Sequence, residues 1–217
     1  MNVLKIATYS LDIRWFTAVA ATAMIAFISQ LYGSEVIAPY FFITSLAIFL
    51  CVAVFKLIQT ALFYKDALNE LLNPETTLYS FTIVGAVNLV GICFSRIFHL
   101  YTTANIFWCV GIGLWLGISL SSFSILFLHQ KSTDRKIEDV LHGGWFFATV
   151  GTQSTALLGV IVAEHAIRQV VFLQVFSFIL WSVGASLYLI FMALLVLRMM
   201  FYRFDSNTVI SPYWMNI

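Results

Sequence analysis

Gly143-Gly144-Trp145-Phe146-Phe147-Ala148-Thr149-Val150-Gly151-Thr152-Gln153-Ser154-Thr155-Ala156-Leu157-Leu158-Gly159 is the stretch whose reading decides the fold. It is apolar enough to enter a bilayer, yet Thr149, Thr152, Gln153, Ser154 and Thr155 crowd its middle. Laid on a helix, Trp145, Thr149, Thr152, Gln153, Ala156 and Ala163 share one stripe. Lipid offers no hydrogen-bond partner, so such groups face other helices or a wet cavity. The stretch therefore reads as a membrane helix that forms one wall of a polar path.

The rest of the chain agrees with a membrane setting. Of its 217 residues, 61% are hydrophobic and 10% charged, against about 25% charged in a soluble domain. Six apolar runs reach the length of about 20 residues needed to span: Arg14–Tyr32, Val36–Tyr64, Leu78–Ile97, Thr103–His129, Gly144–Ala163 and Ile167–Tyr202. The second and sixth are overlong and must tilt or extend beyond the bilayer. No segment between them can hold a soluble domain, so residues 1–217 form one all-α membrane domain. The first run is an uncleaved span rather than a signal peptide, because its apolar character continues through Ile28 and Leu31 into a second span.

Charge sets the expected orientation. With the amino terminus inside, Lys5, Arg14, Lys56, Lys65, Lys131, Arg135, Lys136, Arg198 and Arg203 all lie at inner ends, and only Arg96 and Arg168 lie outside. That asymmetry predicts a multi-pass protein of the plasma or inner membrane with both termini cytoplasmic. The outer links Gly33–Glu35, Phe98–Thr102 and Glu164–Ala166 are short, whereas the inner links Lys65–Thr77 and Gln130–Gly143 are longer and polar. The chain is thus three helical hairpins. Asn73-Pro74-Glu75-Thr76 reads as a turn. Asp134–Asp139 reads as a solvated loop, with a short surface helix as the alternative.

Polarity alternates within the hairpins. The first span carries Thr22 and Ser29, the third Phe81, Gly85 and Asn88, and the fifth Trp145, Thr149, Thr152 and Gln153. Their partners are bulky, with Phe41, Phe42, Phe49 and Phe55 in the second span and Phe172, Phe176, Phe178, Trp181 and Phe191 in the sixth. The expected arrangement is an inner ring of first, third and fifth spans lining a path, and an outer ring of the others. Each side chain also has a plainer reading. Asn88 and Gln153 can bond a neighbouring helix, a hydroxyl can bond its own preceding carbonyl, and Trp145 can anchor at the interface. Gly113 and Gly117 make a GxxxG packing signal in the fourth span.

Several functions find no support. The net charge of +1 offers no basic tract for nucleic acid. Cys51, Cys93 and Cys109 lie in apolar runs and read as free thiols. The four histidines share no ligand spacing, so neither a metal nor another cofactor is expected. No nucleophile motif or phosphate loop is present, and the protein is not read as an enzyme.

Gly143-Gly144-Trp145, Ala148–Ser154 and Leu157-Leu158-Gly159 together resemble the tellurite-resistance and C4-dicarboxylate transporter family, whose relatives include the plant slow-type guard-cell anion channels. Phe81–Gly91 is similar to that family's third helix, and Pro212-Tyr213-Trp214-Met215-Asn216 to the opening of its seventh. The resemblance implies ten helices in five hairpins around a central pore, a homotrimer, and passage of a small inorganic or dicarboxylate anion. It also implies an aromatic gate on a ninth helix, which no residue here can supply. Members carry proline kinks in the inner helices, whereas Pro39, Pro74 and Pro212 fall elsewhere. The expectation is therefore an anion channel or transporter represented by its six N-terminal helices and truncated relative to the family. A non-transporting scaffold or partner subunit is the alternative.

Overall fold

The computed structural model describes residues 13–73, 77–132, 143–166 and 169–201, and these form helices without a strand. The helices are α1 (Phe16–Leu31), α2 (Ile37–Leu62), α3 (Tyr64–Leu72), α4 (Phe81–Phe98), α5 (Tyr101–Ser132), α6 (Phe146–Ala163) and α7 (Val170–Phe201). All but α3 are long and apolar enough to cross a membrane. Links between them are short, so consecutive spans run antiparallel as three hairpins, α1–α2, α4–α5 and α6–α7. The fourth and sixth spans both reach 32 residues, about 48 Å at 1.5 Å per residue, which exceeds a bilayer core of about 30 Å.

Local backbone chemistry sets the ends. Gly33 closes α1 at φ 75°, a left-handed conformation that suits glycine, with its N–H donated to Gln30 O at 3.0 Å. At the end of α4, His99 takes the left-handed conformation at φ 55°, and Leu100 N–H reaches back to Phe94 O at 3.0 Å, the bond of a Schellman closure. The second run does not continue through Tyr64 as expected. Phe63 leaves helical geometry at φ −129° and ψ 50°, and the link that reads as polar begins with the separate helix α3. Tyr64, Leu68 and Leu72 stand at i, i+4 and i+8 on it and are all exposed, so α3 is amphipathic. The Asp134–Asp139 reading and most of the Asn73–Thr76 turn lie outside the described residues.

Burial separates two kinds of span. Most residues of Thr77–Phe98 and Gly143–Ala163 are buried, and few of Ile37–Leu62, Tyr101–Leu128 and Val170–Phe201 are. Helix α4 packs against α1 on one side and α6 on the other, while α2, α5 and α7 cover the back. Apolar faces give no net drive in lipid, so shape decides the packing. Behind α1 and α4 the fit is aromatic: Phe42 meets Phe94 at 4.9 Å, Phe94 meets Phe107 at 5.5 Å, and Phe49 meets Phe107 at 6.3 Å. Each such pair contributes about 0.5–1.5 kcal/mol beyond burial. The result is an arc, α1–α4–α6, concave on one side and backed by the outer helices on the other.

Each helix of the arc is entered through a 3-10 turn: Ile13–Trp15, Thr77–Ser80 and Gly143–Trp145. The three turns touch in sequence at one end of the bundle, here called the entry end. Thr77 Oγ1 pairs with Ser122 Oγ of α5 at 3.0 Å. Thr82 Oγ1 lies 2.7 Å from Tyr79 O and 3.2 Å from Ile13 O, tying α4 to the chain entering α1.

Candidate functional site

The concave side of the arc is built from one register on each helix. On α1 it carries Thr17, Ala21 and Met24, on α4 Thr82, Gly85 and Leu89, and on α6 Phe147 and Val150. These surround a hollow of about 260 Å³ at the entry end, to which Ala20, Gly143 and Phe146 also contribute. The spacings, 17–21–24 and 82–85–89, are those of a single helical face. Gly85 keeps the wall thin, since a Cβ there would meet only Val150 Cγ1 at 3.8 Å. All three N-termini of the arc lie at this end, so the positive ends of three helix dipoles meet there. Among the described residues, none that lines the hollow is charged.

The same registers run on to the opposite, far end. Seven residues after Leu89 stands Arg96, and seven after Leu157 stands Glu164. Arg96 Nη2 donates to both carboxylate oxygens of Glu164, at 2.9 and 2.8 Å. This ion pair joins the far ends of α4 and α6 on the concave side. Composition gave no reason to pair these residues, although the seven-residue register of each helix was in the sequence.

Gly85 is the residue among the expected path-liners that the structure brings to the hollow. The others take different positions. Asn88 is fully buried at the back of the arc, donating through Nδ2 to Thr155 Oγ1 at 2.8 Å and toward Ser154 Oγ at 3.4 Å. Its Oδ1 lies where a Cβ on Gly111 of α5 would stand. Gln153 Nε2 donates to Trp181 O at 3.2 Å, across a notch left by Gly184 of α7. Thr152 Oγ1 donates to Ala148 O at 2.8 Å and accepts from Trp115 Nε1 of α5 at 2.8 Å. Thr149 is buried, and its hydroxyl has no hydrogen bond among the described residues. Trp145 packs edge-on to Phe191 of α7 at 5.4 Å. The Phe81 ring fills the place beside Gly151, where a Cβ would come within 2.9 Å.

Thr152 and Gln153 of the polar stripe in the fifth span therefore bond in a seam between α6 and the outer helices α5 and α7. The physical reason is that an amide or hydroxyl at membrane depth is satisfied as well by a neighbouring helix as by water. In the first span, Thr22 Oγ1 bonds Ala18 O at 2.8 Å within its own helix. Neither Thr22 nor half-buried Ser29 falls in the 17–21–24 register. Among the described residues the Gly113–Gly117 pair packs against nothing, because a Cβ at either would meet no atom within 4 Å.

A larger hollow, about 490 Å³, opens at the far end among Ser95, Asn105, Trp108, His165 and Gln169. It lies between α5 and α7, behind the arc rather than on its concave side. Cys51, Cys93 and Cys109 are free thiols, and no group of three or more His, Cys, Asp or Glu gathers among the described residues.

Comparison with known proteins places this architecture. Two proteins of Methanocaldococcus jannaschii, each named an uncharacterized transporter, are similar over 212 residues. One is 25% identical, with 94% of this chain and 59% of the relative covered. The other is 24% identical, with 94% and 60% covered. The chain thus spans about three-fifths of the length of these relatives. No solved structure matches. The voltage-dependent anion channel family matches from residue 10 to residue 217, nearly the whole length that builds the arc and its backing helices; the chain belongs to that family.

Proposed function

We propose that this chain forms part of the wall of an anion channel or anion transporter, and that the path follows the concave face of α1, α4 and α6. The observation that carries the reading is the pairing of an uncharged, thin-walled hollow with three converging helix N-termini. Helix N-termini favour anions, and a wall without fixed charge lets an anion enter and leave without being trapped. Thr17, Ala21, Met24, Gly85, Leu89, Phe147 and Val150 are the proposed lining. The arc is open on one side, so closing the path takes further protein there, from additional hairpins of the same polypeptide or from other copies.

Among the described residues, the lining of the hollow includes no Arg or Lys to hold a carboxylate by two parallel bonds, the arrangement that recognises such groups. Small monovalent anions such as chloride or nitrate fit it better than C4-dicarboxylates or tellurite. The full-length protein in liposomes is expected to carry nitrate and chloride down their gradients, and to carry succinate at least tenfold more slowly. No anion flux in either direction would leave the scaffold reading in possession. We further propose that the entry end faces the cytoplasm, because Arg14, Lys56, Lys65 and Arg198 gather there. A cysteine at Ser34 should react with an impermeant thiol reagent applied to intact cells, and one at Asn73 should not; the opposite pattern would invert the orientation.

A further inference from the structure

We infer that Arg96 and Glu164 form a charge clasp at the far mouth of the path, in which Arg96 attracts the permeating anion and Glu164 limits that attraction. This rests on the reading of the concave face as the path. Among the described residues, Arg96 is the one Arg or Lys at the far end of the bundle. It lies in the register of Thr82 and Leu89, directly in line with the hollow. Glu164 lies in the register of Val150 and Leu157 on the facing helix. The pair spans the two helices at 2.8 Å.

Its position is poorly explained by stability. The two side chains are 35% and 43% exposed, and exposed ion pairs contribute little to folding. Arg96 in the last turn of α4 suits the negative end of that helix. Glu164 does not, because it is the C-terminal cap residue of α6, where a carboxylate meets a like partial charge. A carboxylate held there against its own helix end is accounted for by its effect on Arg96. Only Nη2 of the guanidinium bonds Glu164. A guanidinium has five N–H donors, so others remain for an anion passing the mouth. A single charge at a narrow mouth changes the local concentration of a permeating ion severalfold, and salt screens the effect.

The test compares full-length wild type, Glu164→Gln, Arg96→Gln and the double variant in liposomes, with nitrate flux and reversal potential as readouts. Reversal potential reports on whatever fraction is folded, so lower yield of a variant does not obscure it. Glu164→Gln should raise nitrate flux roughly three- to tenfold at low ionic strength, Arg96→Gln should lower it by a similar factor and admit more cation, and the double variant should return near wild type. High concentrations of an impermeant salt should shrink all the differences. A merely structural pair would move both single variants in the same direction and leave selectivity unchanged; that result, or no change in any variant, overturns the clasp while the path stands. A wild type that carries no anion overturns both.

Discussion

Gly111→Val is expected to destabilise the folded protein by about 3 kcal/mol, the upper part of the range for overpacking a filled site. The place where its Cβ would stand already holds the Asn88 amide, with Asn88 Cγ 2.9 Å away. Asn88 cannot swing aside cheaply. It is fully buried, and its Nδ2 is held by Thr155 Oγ1 at 2.8 Å, a bond worth roughly 0.6–2 kcal/mol between membrane helices. Its Oδ1 rests against the Gly111 backbone, where a weak Cα–H···O contact is available and no conventional donor is described. A side chain at position 111 would break both relations. Gly113→Val, two residues along the same helix, should be close to neutral, because nothing lies within 4 Å of its Cβ position. Thermal unfolding in detergent reads the difference. Adding Asn88→Ala to Gly111→Ala should recover part of the loss, since it empties the contested space. Equal melting of Gly111→Val and Gly113→Val would show that the notch does not hold the helices.

Two further glycines repeat the device. Gly159 faces Ser177 Oγ and the Trp108 indole, and Gly184 faces Gln153. In each case a polar side chain from one helix occupies the space left by a missing Cβ on another. Trp108 Nε1 also donates to Thr155 O at 3.2 Å, so the seam from Ser177 through Asn88 to Thr152 fastens α4 and α6 to α5 and α7. These contacts let polar groups serve as packing elements in a place where burying apolar surface gives no drive.

That seam explains which parts of the molecule were legible in the sequence. The six spans, their pairing into hairpins and the buried rank of the third and fifth follow from hydropathy, link length and polarity, all properties of one helix at a time. The lining of the hollow is a property of several helices together. Asn88, Thr152 and Gln153 read as path residues because the chemistry that satisfies an amide in a wet cavity also satisfies it against another helix. Conversely, nothing in their own chemistry marks the apolar Met24, Leu89 and Val150 as lining a hollow. Where each amide fits depends on a glycine of another helix that leaves room for it: Gly111 for Asn88 and Gly184 for Gln153. The helix α3 was missed for a different reason. Its nine residues follow a long apolar run without a Pro or Gly break, so the bend at Phe63 left no local mark.

The opposite behaviour is expected at Gly85 and Gly91, six residues apart on α4. At Gly85 a Cβ meets only Val150 Cγ1, at ordinary contact distance, 3.8 Å. Gly85→Leu should therefore fold, helped by the gain of up to about 1 kcal/mol in helix propensity over glycine. Its side chain must then enter the hollow between Thr17, Ala21, Met24 and Val150, whose whole volume is about 260 Å³. Anion flux through the full-length protein should fall at least tenfold, with the melting temperature little changed, because narrowing the path raises the barrier without disturbing the packing behind it. At Gly91 a Cβ would come within 2.8 Å of both Leu158 Cδ2 and Phe107 Cβ, so Gly91→Leu should unfold the protein rather than block it. The pair separates a path from a packing surface on one helix. A Gly85→Leu protein that melts normally and carries anions at the wild-type rate would remove the concave face as the route.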